Sequence, residues 1–193
     1  MALVFLHGIG TGPEAWQPQI EAFAGERPVV APQVPLDLER ACAELDDLDE
    51  ELLDLCGLSW GGLVALRYAL ERPERVQSLA VTGAFASLPL HLRVLQAAMS
   101  LAVRIVPRAP HELARPLREG ARFDVHDRLD SLRAPTLVLC GERDRLNLPL
   151  SRALADAIPH ASFEVVPDAG HVANTDNPAA FNRLLAAFLP PAL

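Results

Sequence analysis

Short, continuous apolar runs alternate along the chain with stretches whose apolar residues recur every three or four positions. The runs Ala2–Leu6, Val29–Ala31, Leu53–Cys56, Val76–Thr82, Thr136–Cys140 and Ser162–Val166 predict β-strands. They are largely apolar and do not alternate strictly, which suits strands covered on both faces. Between them lie helix signals. Leu38, Ala41, Cys42, Leu45 and Leu48 fall at helical spacing behind Asp37, a good N-cap. Leu63, Leu66, Arg67 and Leu70 continue a helix that Pro73 must end. Asn177-Pro178 opens a last helix with Phe181, Leu184, Leu185 and Phe188 as its buried face. Strand-helix alternation of this kind predicts a parallel, doubly wound sheet of about six strands with helices on both faces. Chemistry in such a sheet belongs at the carboxyl ends of the strands.

One segment breaks the alternation. From about Ala84 to Phe123 no strand pattern occurs. Leu88, Leu92, Leu95, Met99 and Val103 predict a helix instead, and prolines 107, 110 and 116 then break the chain. This reads as a helical insertion, 84–127, within one domain spanning 1–193.

Composition narrows the possibilities. A chain of 193 residues suits one domain with a substantial core. No apolar run reaches the roughly 18 residues of a membrane span, so no membrane partner is expected. Met1-Ala2-Leu3 lacks a basic leader and runs straight into the first strand, which implies a cytoplasmic protein. Cys42, Cys56 and Cys140 form neither a disulfide framework nor a metal-binding pair, and are expected to be buried thiols. The formal charge of −8 argues against nucleic-acid binding. Charge is nevertheless uneven: Ala84 to Phe123 holds six arginines and two glutamates. A basic insertion on an acidic body suits an anionic substrate or an acidic carrier protein. The plainer alternative is arginines solvating the outer faces of amphipathic helices.

Gly57-Leu58-Ser59-Trp60-Gly61 follows the third strand and opens a helix. This is G-x-S-x-G in the setting that gives it meaning, a nucleophile on a sharp strand-to-helix turn whose close approach demands glycine on either side. A serine hydroxyl needs a base. Of six histidines, His171 alone lies in a loop directly after the last strand, while His91, His111, His126 and His160 suit the surface. The base needs a carboxylate to fix its tautomer. Asp144, after the fifth strand, is the first choice, with Glu142 and Asp168 as rivals. Amide donors for a tetrahedral oxyanion are expected at Trp60 N–H and, from the loop after the first strand, Ile9 N–H. His7 suits a structural role in holding that loop. Trp60, Phe85 and Met99 are candidate walls of an apolar acyl pocket. Such a site needs no metal and no cofactor.

These residues, together with Leu3-Val4-Phe5-Leu6-His7-Gly8, Pro73-Glu74-Arg75-Val76, Pro135 through Asp144, and Ala169-Gly170-His171, make the chain resemble the α/β-hydrolase superfamily. It is most similar to the small bacterial carboxylesterase, enol-lactonase and biosynthetic methyl-esterase branches. The resemblance implies a sheet ordered second-first-third-fourth-fifth-sixth beneath a lid. It also implies a serine hydrolase acting on a small-molecule acyl substrate such as an ester, thioester or lactone. An acyltransferase, a C–C bond hydrolase or a non-catalytic ligand receptor are the other activities this fold admits. The chain departs from the family's usual pattern in three places. It lacks the antiparallel hairpin before the first strand, its Val29–Leu53 segment is short, and its lid is small.

Overall fold

The structure, a computed structural model, describes residues 1–191. Six strands form one sheet: β1 (Ala2–Leu6), β2 (Val29–Val30), β3 (Leu53–Leu58), β4 (Val76–Thr82), β5 (Thr136–Gly141) and β6 (Ser162–Val166). Every pairing is parallel and the order is β2-β1-β3-β4-β5-β6. Strand order therefore reverses between β1 and β3, where ligands of open parallel sheets bind. The helices are α1 (Gln17–Phe23), α2 (Leu38–Asp46), α3 (Trp60–Glu71), α4 (Leu90–Ile105), α5 (Ala114–Arg122), α6 (Asn147–Ala157), α7 (Ala173–Asp176) and α8 (Pro178–Phe188). The expected caps hold, with Asp37 and Asn177 accepting from the main-chain N–H groups of Arg40 and Ala180.

Both faces of the sheet are covered because successive strand side chains point to opposite sides. Ala2, Val4 and Leu6 of β1 join one core with α2 and α3; Leu3 and Phe5 join the other with α1 and α8. In that second core Phe5 stacks on Trp16 at 4.8 Å, and Trp16 tilts against Phe181 at 5.9 Å. The sheet edges are less covered. β2 shrinks to two residues between Pro28 and Pro32, and Ser162 and Glu164 of β6 are exposed. All three cysteines are buried and unpaired. Burial pushes the Cys42 thiol up to about 12, so it is no nucleophile at neutral pH.

The insertion is a helical hairpin of α4 and α5. Its neck is closed by an antiparallel bridge between Ser87 and Asp124 and by Val125 N–H donating to Ala86 O at 3.0 Å. The stripe of α4 that faces the rest of the protein differs from the expected one. Leu92, Arg93, Gln96, Ser100 and Val103 are its covered or half-covered positions, and Ser100 Oγ–H donates to Ala114 O at 2.6 Å. Leu95 and Met99 stand exposed. Apolar residues occur on nearly every side of the helix, so its sequence does not single out one stripe.

One charged network is buried at the opposite end of the sheet from the strand carboxyl ends. Asp54 on β3 is inaccessible to solvent, accepts from Ser78 Oγ–H at 2.6 Å and pairs with Arg27 at 3.1 Å. Burial pushes the Asp54 carboxyl above the ordinary carboxylate value, against the pull of Ser78 and Arg27. Arg27 also donates to Pro190 O at 2.7 Å, tying the turn before β2 to the end of the chain. Breaking a buried pair strands its partner charge. Arg27→Met should therefore cost about 3–5 kcal/mol in urea unfolding, and adding Asp54→Asn should recover most of the loss. Equal destabilisation of both variants would contradict this account.

Candidate active site

Three loops at the carboxyl ends of β3, β5 and β6 meet at one point. β3 turns into α3 at Ser59, whose φ of 53° and ψ of −112° lie outside the usual regions for a residue with a side chain. Such backbone costs about 1–3 kcal/mol and persists only where its surroundings enforce it. Here Ser59 N–H donates to Thr82 O at 2.8 Å, and α3 is buried from Trp60 through Leu66. The flanking glycines are needed as expected. A β-carbon on Gly61 would lie 2.1 Å from Leu6 O, and one on Gly57 would lie 2.3 Å from Gly61 O.

Asp144 follows β5 in a turn where its N–H donates to Gly141 O at 3.0 Å. His171 follows β6 in a loop fastened by Gly170 N–H to Asp176 Oδ2 at 2.7 Å and Arg143 N–H to Ala169 O at 2.8 Å. The imidazole and the carboxylate meet, with His171 Nδ1 2.7 Å from Asp144 Oδ2. The rival carboxylates are otherwise engaged. Glu142 accepts from Asp168 N–H at 3.0 Å, and Asp168 pairs with Arg143.

Ser59 and His171 converge on the end of β4. Thr82 O receives the Ser59 N–H, and the next residue, Gly83, supports the His171 ring. Its φ is +61°, and a β-carbon there would lie 2.9 Å from His171 Cε1. Ser59 and His171 are not hydrogen-bonded to each other among the described residues. Catalytic hydrogen bonds are commonly long before substrate binds.

Asn147 is a site residue the sequence reading missed. Its Nδ2–H₂ reaches Asp144 Oδ1 at 3.0 Å and Oδ2 at 2.9 Å, and its main-chain N–H reaches Oδ1 at 3.2 Å. Nδ2 also lies 3.2 Å from His171 Nδ1, directly beside the carboxylate-imidazole pair. The one available signal was an Asn three residues after Asp144 at the start of a helix. Burial alone would raise the Asp144 carboxyl. The hydrogen bonds from His171 and Asn147 outweigh it and hold the group below its ordinary value. Asp144 thus stays ionised and can hold Nδ1–H, leaving Nε2 free to take a proton.

The loop after β1 lies against the turn at Ser59: a β-carbon on Gly8 would sit 3.3 Å from Ser59 Cβ. His7 holds this loop, as expected. Its Nε2 accepts from Val34 N–H at 2.9 Å, so Nδ1 carries the proton and faces Gly8 O at 2.9 Å. Neither Ile9 N–H nor Trp60 N–H donates to a main-chain acceptor among the described residues, so both remain available. Trp60 N–H opens α3, where the helix dipole favours negative charge.

The expected acyl pocket is not assembled. The Trp60 indole is 2% exposed, belongs to the core and donates Nε1–H to Pro35 O at 2.9 Å. Phe85 is buried edge-on against Phe123 at the neck of the insertion, 6.1 Å between centroids. Met99 lies off the covered stripe of α4 and is 47% exposed. Packing therefore takes Trp60 and Phe85, and helix rotation removes Met99. What remains of the site is open: the His171 side chain is 43% exposed.

A model described as the alpha/beta hydrolase family matches residues 3–184. The chain is similar to RutD of Variovorax paradoxus, named as a carbamate hydrolase, at 29% identity over 243 residues, 97% of this chain and 91% of that protein. That alignment is at least 50 positions longer than this chain, so the shortening relative to RutD includes internal gaps. It is similar to 3-oxoadipate enol-lactonase 2 of Acinetobacter baylyi at 27% identity, covering 97% of this chain and 88% of that one. Among solved structures it superposes on MenH from S. aureus with a TM-score of 0.84 at 20% identity, covering 98% of this chain and 93% of that one. The enol-lactonase from Burkholderia xenovorans gives 0.83 at 20% identity, with 97% and 90% coverage. No described helix is long and apolar enough to cross a membrane. The chain belongs to the alpha/beta hydrolase family.

Proposed function

We propose that the protein is a serine hydrolase that cleaves a small carboxylic ester, thioester or lactone through an acyl-enzyme. The observation that carries this reading is the 2.7 Å contact between His171 Nδ1 and Asp144 Oδ2 at the strand end that also receives the Ser59 turn. Ser59 is the nucleophile, His171 the general base and Asp144 the carboxylate that orients it. Ser59 Oγ attacks the carbonyl carbon while His171 Nε2 takes the hydroxyl proton. The oxyanion is held by Ile9 N–H and Trp60 N–H, and the dipole of α3 adds to the attraction. The imidazolium then protonates the leaving oxygen or sulfur as its bond to carbon breaks. Water, deprotonated by the same histidine, attacks the acyl-serine, and the acid departs.

Hydrolysis is favoured over acyl transfer by the openness of the site. An acyltransferase must keep water from its acyl-enzyme, and a base 43% exposed does not do so. The hydrolase names of the enol-lactonase and RutD relatives point to the same class of activity. They do not choose among its substrates.

Two measurements test the reading. A fluorophosphonate should label the wild-type protein at Ser59 and leave Ser59→Ala unlabelled. That variant should also lose about four orders of magnitude or more in kcat/KM on p-nitrophenyl esters. Turnover that survives Ser59→Ala sinks the mechanism. The second concerns Asn147, a positioning residue. Asn147→Leu removes donors that favour the Asp144 carboxylate, so its proton affinity rises. The lowered carboxyl keeps its contribution at and above the ordinary carboxylate range and loses it as pH falls through the folded value. In the variant that loss should begin at higher pH. Near neutrality kcat should fall about tenfold, in line with about 1.5 kcal/mol for a charge-assisted hydrogen bond, with KM little changed. A loss of KM alone would place Asn147 in substrate binding instead.

A further inference from the structure

Against the expectation from the sequence that the protein has no membrane partner, we infer that the α4–α5 hairpin is a docking surface for an anionic lipid membrane. Seven of the eight large apolar side chains that stand exposed lie on α4 or on Val106 just after it. Their exposure runs from 47% at Met99 to 75% at Leu90. At 100° per residue, the exposed positions between Leu90 and Val106 sweep about half the helix circumference. Leu90, Val94, Leu101 and Ile105 share one side of this arc; Leu95, Met99 and Val106 share the other. His91 is the single polar side chain between them, and Arg104 stands at the margin. A soluble monomer rarely leaves an apolar surface of this extent open.

The charge beside the arc has one sign. From Ala84 to His111 the chain carries no carboxylate side chain, although the protein as a whole is strongly acidic. Arg93, Arg104, Arg118 and Arg122 line a groove of about 370 Å³ between α4 and α5, and no carboxylate lines it. Arg93 lies 3.8 Å from Asp124. Arg104, Arg118 and Arg122 have no carboxylate within 4.0 Å among the described residues. Three of these four guanidiniums thus have no carboxylate within salt-bridge reach among the described residues and can take an anion, and guanidinium matches phosphate in a bidentate fork.

The two features together select the occupant. An apolar helix face beside a row of arginines is the pattern of a helix lying in a membrane interface, with aliphatic side chains among the acyl chains and cations at the headgroups. A second copy would bring two arginine rows of the same sign together. An acidic protein would answer the arginines, but the apolar arc beside them offers it only His91 as a hydrogen-bonding side chain. Specific protein interfaces carry about one hydrogen bond per 100–200 Å². The acidic remainder of the protein sets the orientation, because a negative body is repelled by the surface that attracts the hairpin. Since α4 rises from the carboxyl end of β4, docking also holds the strand-end site beside the lipid.

The test is flotation with vesicles of phosphatidylcholine alone or with a third phosphatidylglycerol, together with gel filtration. The wild-type protein should bind the anionic vesicles at least tenfold more tightly than the neutral ones, and 0.5 M NaCl should weaken that binding. Leu101→Asp with Ile105→Asp should reduce binding at least tenfold, as should Arg118→Glu with Arg122→Glu. All four side chains are exposed, so melting temperature should be unchanged in both variants. Four outcomes overturn the inference. They are no vesicle binding, binding indifferent to lipid charge, binding unaffected by either pair of substitutions, and a wild-type dimer that Leu101→Asp converts to monomer. Salt-sensitive binding to a purified acidic acyl carrier protein without vesicle binding would assign the surface to a protein and likewise overturn it.

Discussion

The first turn of α3 lies so close to β1 and β3 that main chain touches main chain, and the site depends on that contact. No side chain fits between Gly57, Gly61 and the Leu6 carbonyl. The approach forces the chain to reverse over one residue, and Ser59 takes the strained conformation that results. The strain is offset locally. Leu63, Val64 and Leu66 on the same helix are almost wholly buried, and each contributes about 1.5–3 kcal/mol. The core thus holds the serine at the carboxyl end of β3 with the Trp60 N–H unspent.

Most of this arrangement was legible in the sequence because it follows from chain order and strand direction. Six apolar runs separated by helices specify a parallel sheet, and a parallel sheet gathers every strand's carboxyl end on one side. Ser59, Asp144 and His171 each follow a strand directly, so the topology alone brings their loops to a common edge. The observed strand order matches the expected one, and Ala2–Leu6, Val76–Thr82 and Ser162–Val166 match to the residue.

What was not legible depends on which way a side chain turns. Trp60 stands one residue from the serine in sequence, but its ring goes down into the core and leaves only its main chain facing the turn at Ser59. Met99 lies on a helix apolar on nearly every side. The stripe through Leu88, Leu92, Leu95, Met99 and Val103 was no stronger a signal than the one through Leu90, Val94, Leu101 and Ile105. Tertiary contact with α5 settled the rotation in favour of Gln96 and Ser100, polar residues that a search for apolar periodicity passes over. Asn147 escaped notice for a related reason. Its side chain acts through a carboxylate three residues earlier, a local contact that resembles ordinary helix capping.

The small insertion shapes both the chemistry and the surface. A larger cover over the strand ends would exclude water and line a pocket. This one leaves His171 open and turns its own apolar side outward. Under the proposed mechanism an open His171 gives water ready access, which suits hydrolysis, but supplies few walls to grip an acyl group. On the proposed mechanism selectivity then falls to the loop after β1 and to whatever lies against the hairpin. If the hairpin's apolar face is covered by lipid, the missing wall of the site is the membrane, and a substrate dissolved there arrives already concentrated. The exposed face of α4 and the unwalled site are on this view one feature. Each lacks a partner because the same surface supplies it to both.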